Sequence, residues 1–144
     1  AKYSELVASP DHMPTLLGLL DIPVPDTCQG FNHAPGILGQ ESDAPKDAFL
    51  CSYPGMPEMV AAFEKQGLNS KCYGWRGIRT HTHTFVINNG YKPGEKQVKM
   101  LYNNEKDPYQ QNPLMITELN EELAADYEKR LREYLDMQQD PFLM

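Results

Sequence analysis

Apolar positions along the chain fall into three regimes. From Thr117 to Gln138, Leu119, Leu123, Tyr127, Leu131, Tyr134 and Leu135 follow i, i+4, i+8 spacing with drift. That is one apolar stripe on an amphipathic helix. Glu118, Glu121 and Glu122 load its first turn, and Lys129, Arg130 and Arg132 come late, as the helix macrodipole prefers. Near the other end, "SPDHMPTLLGLLDI" places Met13, Leu16, Leu17 and Leu20 at helical spacing. Ser9 or Asp11 is available as a cap, and a proline falls in the first turn or so. Between these helices the apolar residues come in short β-branched and aromatic runs.

Those runs predict strands. "DAFLCSY" (Asp47 to Tyr53) reads as one. "YGWRGIRT" and "HTFVIN" read as two, or as one long strand with a bend, and "QVKMLYN" as another. "PGMPEMVAAFEKQGL" reads as a short helix: Pro57 suits the first turn, Met59, Val60 and Phe63 share a face, and Gly67 suits the C-cap. "NNGYKPGEKQ" is turn-rich and "NEKDPYQQNPL" is a polar connection. "DIPVPDTCQGFNHAPGILGQESDAPKD" has no sustained period and reads as an extended arm of roughly 25 residues, unusually long for a compact domain. The fold class expected is therefore α+β: a small antiparallel sheet of about four strands against a long C-terminal amphipathic helix, preceded by a helix and the arm. The expected division is 1–46 for helix plus arm, suited to pack on something outside the chain, and 47–144 for sheet plus helix.

Composition narrows the function. The 144 residues are 40% hydrophobic and 23% charged, ordinary for one globular domain with a core. Lys and Arg total 13 against 20 Asp and Glu, a formal net charge of -7, with no basic stripe, so nucleic acid is disfavoured as a partner. No apolar run approaches the roughly 20 residues that span a bilayer, and "AKYSELVASPDHMPTLL" lacks the basic start and apolar block of a leader. Cys28, Cys51 and Cys72 are odd in number and widely spaced, neither a disulfide scaffold nor a zinc framework; one disulfide plus a free thiol stays open.

Candidate chemistry is sparse. In "WRGIRTHTHTFVINNG", His81 and His83 stand at i and i+2, which on a strand share one face roughly 6–7 Å apart and could share a zinc or copper ion. A catalytic zinc site needs a third protein ligand, and His12 and His33 stand at no motif spacing from this strand. The blander reading is an edge strand with one polar face, and it is preferred. Cys72 has Lys71 and Arg76 near it, but none of the three cysteines has a placed base, so bystander thiols are preferred. Acidic pairs such as Glu121 and Glu122 solvate a helix face. There is no P-loop, G-x-G-x-x-G after a strand, H-E-x-x-H or G-x-S-x-G. No complete catalytic set is legible.

Three stretches in order resemble a known family. "DHMPTLLGLLDIPVPDTCQG" resembles D-x-M-P-T-L-L followed by G-I-P-V-P-D-x-x-Q-G. "WRGIRTHTHTFVI" resembles Y-R-G-I-R-T-x-x-Y-T-Y-V, and "MLYNNEKDPYQQNPL" resembles L-Y-D-L-x-x-D-P-Y-E-x-x-N-L. Together they resemble the C-terminal subdomain of arylsulfatase-type sulfatases, in the alkaline-phosphatase superfamily, over about Asp11 to Leu114. The closing helix also fits. His83 replaces an aromatic of the pattern, Asn103 stands where Asp is common, and Pro113 interrupts the N-L ending.

The resemblance implies a parent that hydrolyses sulfuric esters through a formylglycine made from C/S-x-P-x-R, with a calcium-type divalent cation. It places both in an N-terminal catalytic domain upstream of this chain's first helix, so no cofactor and no catalytic residue are expected within the chain. "CYGWR" (Cys72 to Arg76) lacks the proline of that signal and runs into the R-G-I-R-T strand, so Cys72 is read as a coincidence. The implied partners are the catalytic domain and, for the parent, a sulfated small molecule or glycan. Apolar surface exposed along the first helix and arm, a patch of more than a few hundred Å², would invite self-association. Asn88, Asn89, Tyr91 and Lys92, in the loop after the T-F-V strand, are the candidate substrate-binding residues: they offer amides, an aromatic platform and a cation to a sulfated group. N-N-G and K-P-G are also plain turn chemistry. The tail of a related phosphoester or phosphonate hydrolase, or a freestanding binding module using His81 and His83, are the alternatives. Compartment is left open among periplasmic, secreted and lysosomal.

Overall fold

The computed structural model describes residues 2–143. The chain divides into two compact units, Ala1–Ala48 and Phe49–Met144.

In the first unit, a 3₁₀ turn at Ser9–Asp11 leads into α1 (His12–Leu19), and the arm carries a second short helix, α2 (Ala34–Ile37), that packs back on α1. The arm is therefore not uniformly extended. Small residues allow the close approach: a Cβ on Gly18 would sit 2.9 Å from Ala34 Cβ. The buried side of α1 is Pro14 and Thr15, and all of the stripe read from spacing except the half-buried Leu17 faces outward. Met13, Leu16 and Leu20 are 62%, 60% and 68% exposed.

The second unit is a four-stranded antiparallel sheet, ordered β1 (Ala48–Ser52), β2 (Trp75–Arg79), β3 (His83–Asn88), β4 (Val98–Asn103). Between β1 and β2 lies α3 (Pro57–Glu64), with Pro57 in its first turn and Phe63 buried. β2 and β3 form a hairpin in register Trp75↔Asn88 through Arg79↔Thr84, and β3 pairs β4 from His83↔Asn103 to Asn88↔Val98. The long helix α4 (Glu121–Met137) lies across one face. Strand alternation puts Ile78, Phe85, Ile87 and Leu101 on that face. They meet Ala124, Tyr127, Leu131 and Leu135 of α4 and Phe142 of the closing turn, forming the core. Each such side chain contributes about 1.5–3 kcal/mol by leaving water.

The burial stripe of α4 thus differs from the one read by spacing. Leu119 is 98% exposed because it precedes the helix. Asn120 holds a turn there: its Oδ1 accepts from Thr117 N–H and its Nδ2 donates to Met115 O. Starting at Glu121, the inward positions are Ala124, Tyr127, Leu131 and Leu135.

All four helices close with the same pair of bonds, a 6→1 and a 5→2 link around a left-handed residue. For α3 these are Leu68 N to Phe63 O and Gly67 N to Glu64 O. Glycine occupies the left-handed position after α2 (Gly39) and α3 (Gly67), but Asp21 after α1 and Gln139 after α4 adopt φ of 55° and 52°.

Candidate functional site

The loop leaving β3 holds the four candidate residues, and its hydrogen bonds sort them. Asn88 Oδ1 accepts from Gly90 N–H at 2.9 Å, an Asx turn. Gly90 has φ 74°, and a Cβ there would collide with the Glu95 side chain. Asn89 is spent on the fold: its Nδ2 donates to Cys72 O and Phe142 O, both at 3.0 Å, and its Oδ1 accepts from Gln97 at 2.8 Å. Tyr91 is partly exposed, with its hydroxyl 2.7 Å from Ser52 Oγ and its N–H donating to Glu95 Oε2. Lys92 is exposed. Asn88 and Asn89 thus build the loop, while Tyr91 and Lys92 remain available at its surface.

The histidine pair does not share a strand. β3 begins at His83, and His81 lies in the turn that joins β2 to β3. Thr80 closes that turn, its Oγ1 accepting from His83 N–H at 3.0 Å. His83 Nδ1 lies 3.0 Å from Thr82 Oγ1, and its ring sits 6.1 Å from Tyr127. Nor is β3 the edge strand expected: it lies between β2 and β4, and its Thr84 is buried, donating to Asn104 Oδ1 and accepting from Gln110 Nε2. Among the described residues, no three His, Cys, Asp or Glu side chains form a group that could hold a metal ion. All three cysteines are free thiols, with Cys51 exposed.

Spacing alone missed Arg76, whose side chain is only 3% exposed. Nε and Nη2 clasp Asp140 at 2.9 and 3.1 Å. Nη1 donates to Ser52 O and Trp75 O, and Nη2 also donates to Lys71 O. All five donors of the fork are used. The guanidinium also lies over the Phe142 ring at 4.7 Å. Arg76 is a clasp between β2 and the chain after α4, with no capacity left for a ligand. A cleft of about 210 Å³ beside it is lined by Phe49, Cys51, Leu131, Tyr134 and Gln138. Phe49 stacks on Tyr134, and burial pushes the Tyr134 phenol up, helped by nearby Cys51 and Asp140.

The first unit holds another unforeseen cluster. Asp11 accepts from Ala8 N–H and Phe31 N–H, both at 2.7 Å, and its Oδ2 lies 3.2 Å from His33 Nε2. His33 is fully buried, and its Nδ1 meets the Tyr3 hydroxyl at 2.7 Å. Burial pushes the Asp11 carboxyl up, but the bonds from Ala8, Phe31 and His33 outweigh it and hold the group below its ordinary value. The cluster ties residues 3, 8, 11, 31 and 33 together. Separations of 22 and 30 residues left no periodic signal for it.

The sheet face away from α4 carries Trp75, Gly77 and Arg79 from β2, Thr84, Val86 and Asn88 from β3, and Val98, Met100 and Tyr102 from β4, by register and alternation. A groove of about 260 Å³ runs along it.

No family model matches the chain. It is similar to an ulvan-active sulfatase from Formosa agariphila, 29% identical over 141 residues, which covers 90% of this chain and 23% of the relative. It is similar to an endo-4-O-sulfatase from Bacteroides thetaiotaomicron, 27% identical over 140 residues, covering 95% of this chain and 27% of the relative. A solved structure described under the metabolism of multiple glycosaminoglycans by Bacteroides thetaiotaomicron shares the fold with a TM-score of 0.71 and 28% identity, covering 95% of this chain and 28% of that one. The chain spans about a quarter of the length of the curated relatives it matches.

Proposed function

We propose that this chain, which matches the C-terminal part of sulfatases, is the supporting wall of a sulfuric ester hydrolase and carries no reactive centre of its own. The observation that carries the reading is the asymmetry of coverage: nine-tenths of the chain finds a counterpart in sulfatases, while three-quarters of each sulfatase finds none in the chain. The formylglycine and the calcium-type cation belong, in this reading, to that other part. Residues 1–46 serve as the segment that packs along the catalytic portion, and 47–144 as the docked sheet-and-helix layer.

At the rim, Tyr91 and Lys92 present an aromatic ring and a cation to a sulfated glycan, and Asn88 and Asn89 hold the loop that carries them. The test is kinetic, on the complete gene product carrying this chain, with sulfate and phosphate esters of one glycan. Sulfate release is expected. Preferred phosphate release would move the chain to a phosphoester hydrolase of the same superfamily. Lys92→Ala should raise KM several-fold with thermal stability unchanged, whereas Asn89→Ala should lower stability by about 1–3 kcal/mol through the partners it strands. An unchanged KM for Lys92→Ala removes the rim role.

A further inference from the structure

The sheet face away from α4 carries three donors with a weak acceptor or none. Arg79 lies on it, half-exposed at the end of β2, and among the described residues its guanidinium has no hydrogen-bond or ion-pair partner. Three residues earlier on the opposite face, Arg76 uses all five donors. The indole N–H of Trp75, a donor only, also has no partner among the described residues. The Tyr102 hydroxyl donates to Met100 Sδ at 3.3 Å, a weak acceptor. Other polar groups nearby are engaged within the chain: Thr84, Asn104 and Gln110 bond to one another, and the Asn88 Oδ1 accepts from Gly90 N–H. With Trp75 and Tyr102, the half-buried Leu50 and Met100 and the buried Val86 line one groove on this face. Tryptophan, tyrosine, methionine and arginine set among aliphatic side chains is the composition of a protein interface core, not of a solvated sheet face.

We propose that this face docks on the remaining portion of the same sulfatase polypeptide through an apolar segment that brings a carboxylate to Arg79 and oxygen acceptors to Trp75 and Tyr102. The physical reason is a constraint on what can cover it. An apolar cover with no acceptor would bury a guanidinium unpaired, which is strongly unfavourable. An acidic cover pairs it in a planar, two-point contact that also fixes the register of docking. The inference rests on the supporting-wall reading and adds to it which face is used and which chemistry it selects.

Hydroxyl-radical footprinting of the complete gene product tests it, with exposed Met137 as internal reference. Trp75 and Met100 should oxidise about tenfold more slowly than Met137, in keeping with dependence on solvent access. Arg79→Glu should raise the Trp75 and Met100 rates severalfold. Arg79→Met, which keeps the bulk and removes the charge, should do so more weakly. Lys129→Glu, an equal charge change on the outer face of α4, should leave both rates unchanged. Rapid oxidation of Trp75 and Met100 in the wild type overturns the proposal. So does protection that Arg79→Glu leaves intact, that appears only as protein concentration rises, or that requires an added sulfated disaccharide. Sulfate release by the same wild-type preparation reads the supporting-wall function separately, so failure of the docking face and failure of that function give different results.

Discussion

Arg76 and Arg79 stand three residues apart on one strand, and alternation sends them to opposite faces with different fates. Arg76 is enclosed, its fork shared among Asp140 and three backbone carbonyls. A lysine offers three donors from one point and cannot span that set. Arg76→Lys should therefore lower unfolding free energy by on the order of 2–4 kcal/mol, read from urea titration by the fluorescence of the adjacent Trp75, the sole tryptophan. A loss below 0.5 kcal/mol, the range of an ordinary surface change, would remove its role as a clasp. Asp11 gives a pH-dependent counterpart. Its folded carboxyl titrates below the ordinary value of 3.8, so its stabilisation is fully present above that value and is lost as pH falls through the folded one. Asp11→Asn should flatten the acid limb of the first unit's stability, followed by protection of the Phe31 and Ala8 amides. An acid limb identical to wild type would contradict the assignment.

At the scale of elements, α4 separates what periodicity reveals from what it conceals. The spacing finds the helix and most of its inner face, because Tyr127, Leu131 and Leu135 do face the sheet. It errs at Leu119, since Asn120 holds a turn with Thr117 and Met115 and the helix starts only at Glu121, which no i+4 rule registers. Leu131→Ala should cost about 2–5 kcal/mol and Leu119→Ala less than about 0.5 kcal/mol. Equal costs in chemical denaturation would restore the longer stripe. The strands were legible from β-branched and aromatic runs, and the α3 terminus from Gly67. The end of α4 near Gln138 was legible from where its apolar stripe stops, but neither α1 nor α4 carries a glycine signal, because Asp21 and Gln139 hold the left-handed conformations that glycine usually marks. His81 shows a related limit. A two-residue repeat read as one strand face is split by a turn closed by the Thr80–His83 backbone bond and the Thr80 hydroxyl. On α1 the apolar spacing was visible but its direction was not: Met13, Leu16 and Leu20 face outward while Pro14 and Thr15 are buried, Thr15 bonding to Phe31 and His33. The Asp11–His33–Tyr3 cluster is a product of tertiary folding; the sequence marked Asp11 as a possible cap and as part of the D-x-M-P-T motif, but not its partners.

On the scale of the whole molecule, the sheet and α4 bury one another on one side. Lys99 of β4 and Arg132 reinforce that layer by holding Glu128: burial pushes its carboxyl up, and their bonds at 2.6 and 2.7 Å bring it below its ordinary value. The first unit is organised around the buried Asp11–His33 pair and keeps large apolar side chains at its surface. A sulfatase-like segment with these features is suited to being covered, and catalysis in this account depends on residues outside the matched quarter of its relatives. Sulfate release by the purified 144-residue chain is the most direct measurement of that claim. Incubated with a sulfated glycan and calcium and followed by ion chromatography, the chain should liberate sulfate no faster than buffer does, while the complete gene product releases it. Sustained release by the chain alone would place a reactive centre within these residues and contradict the account.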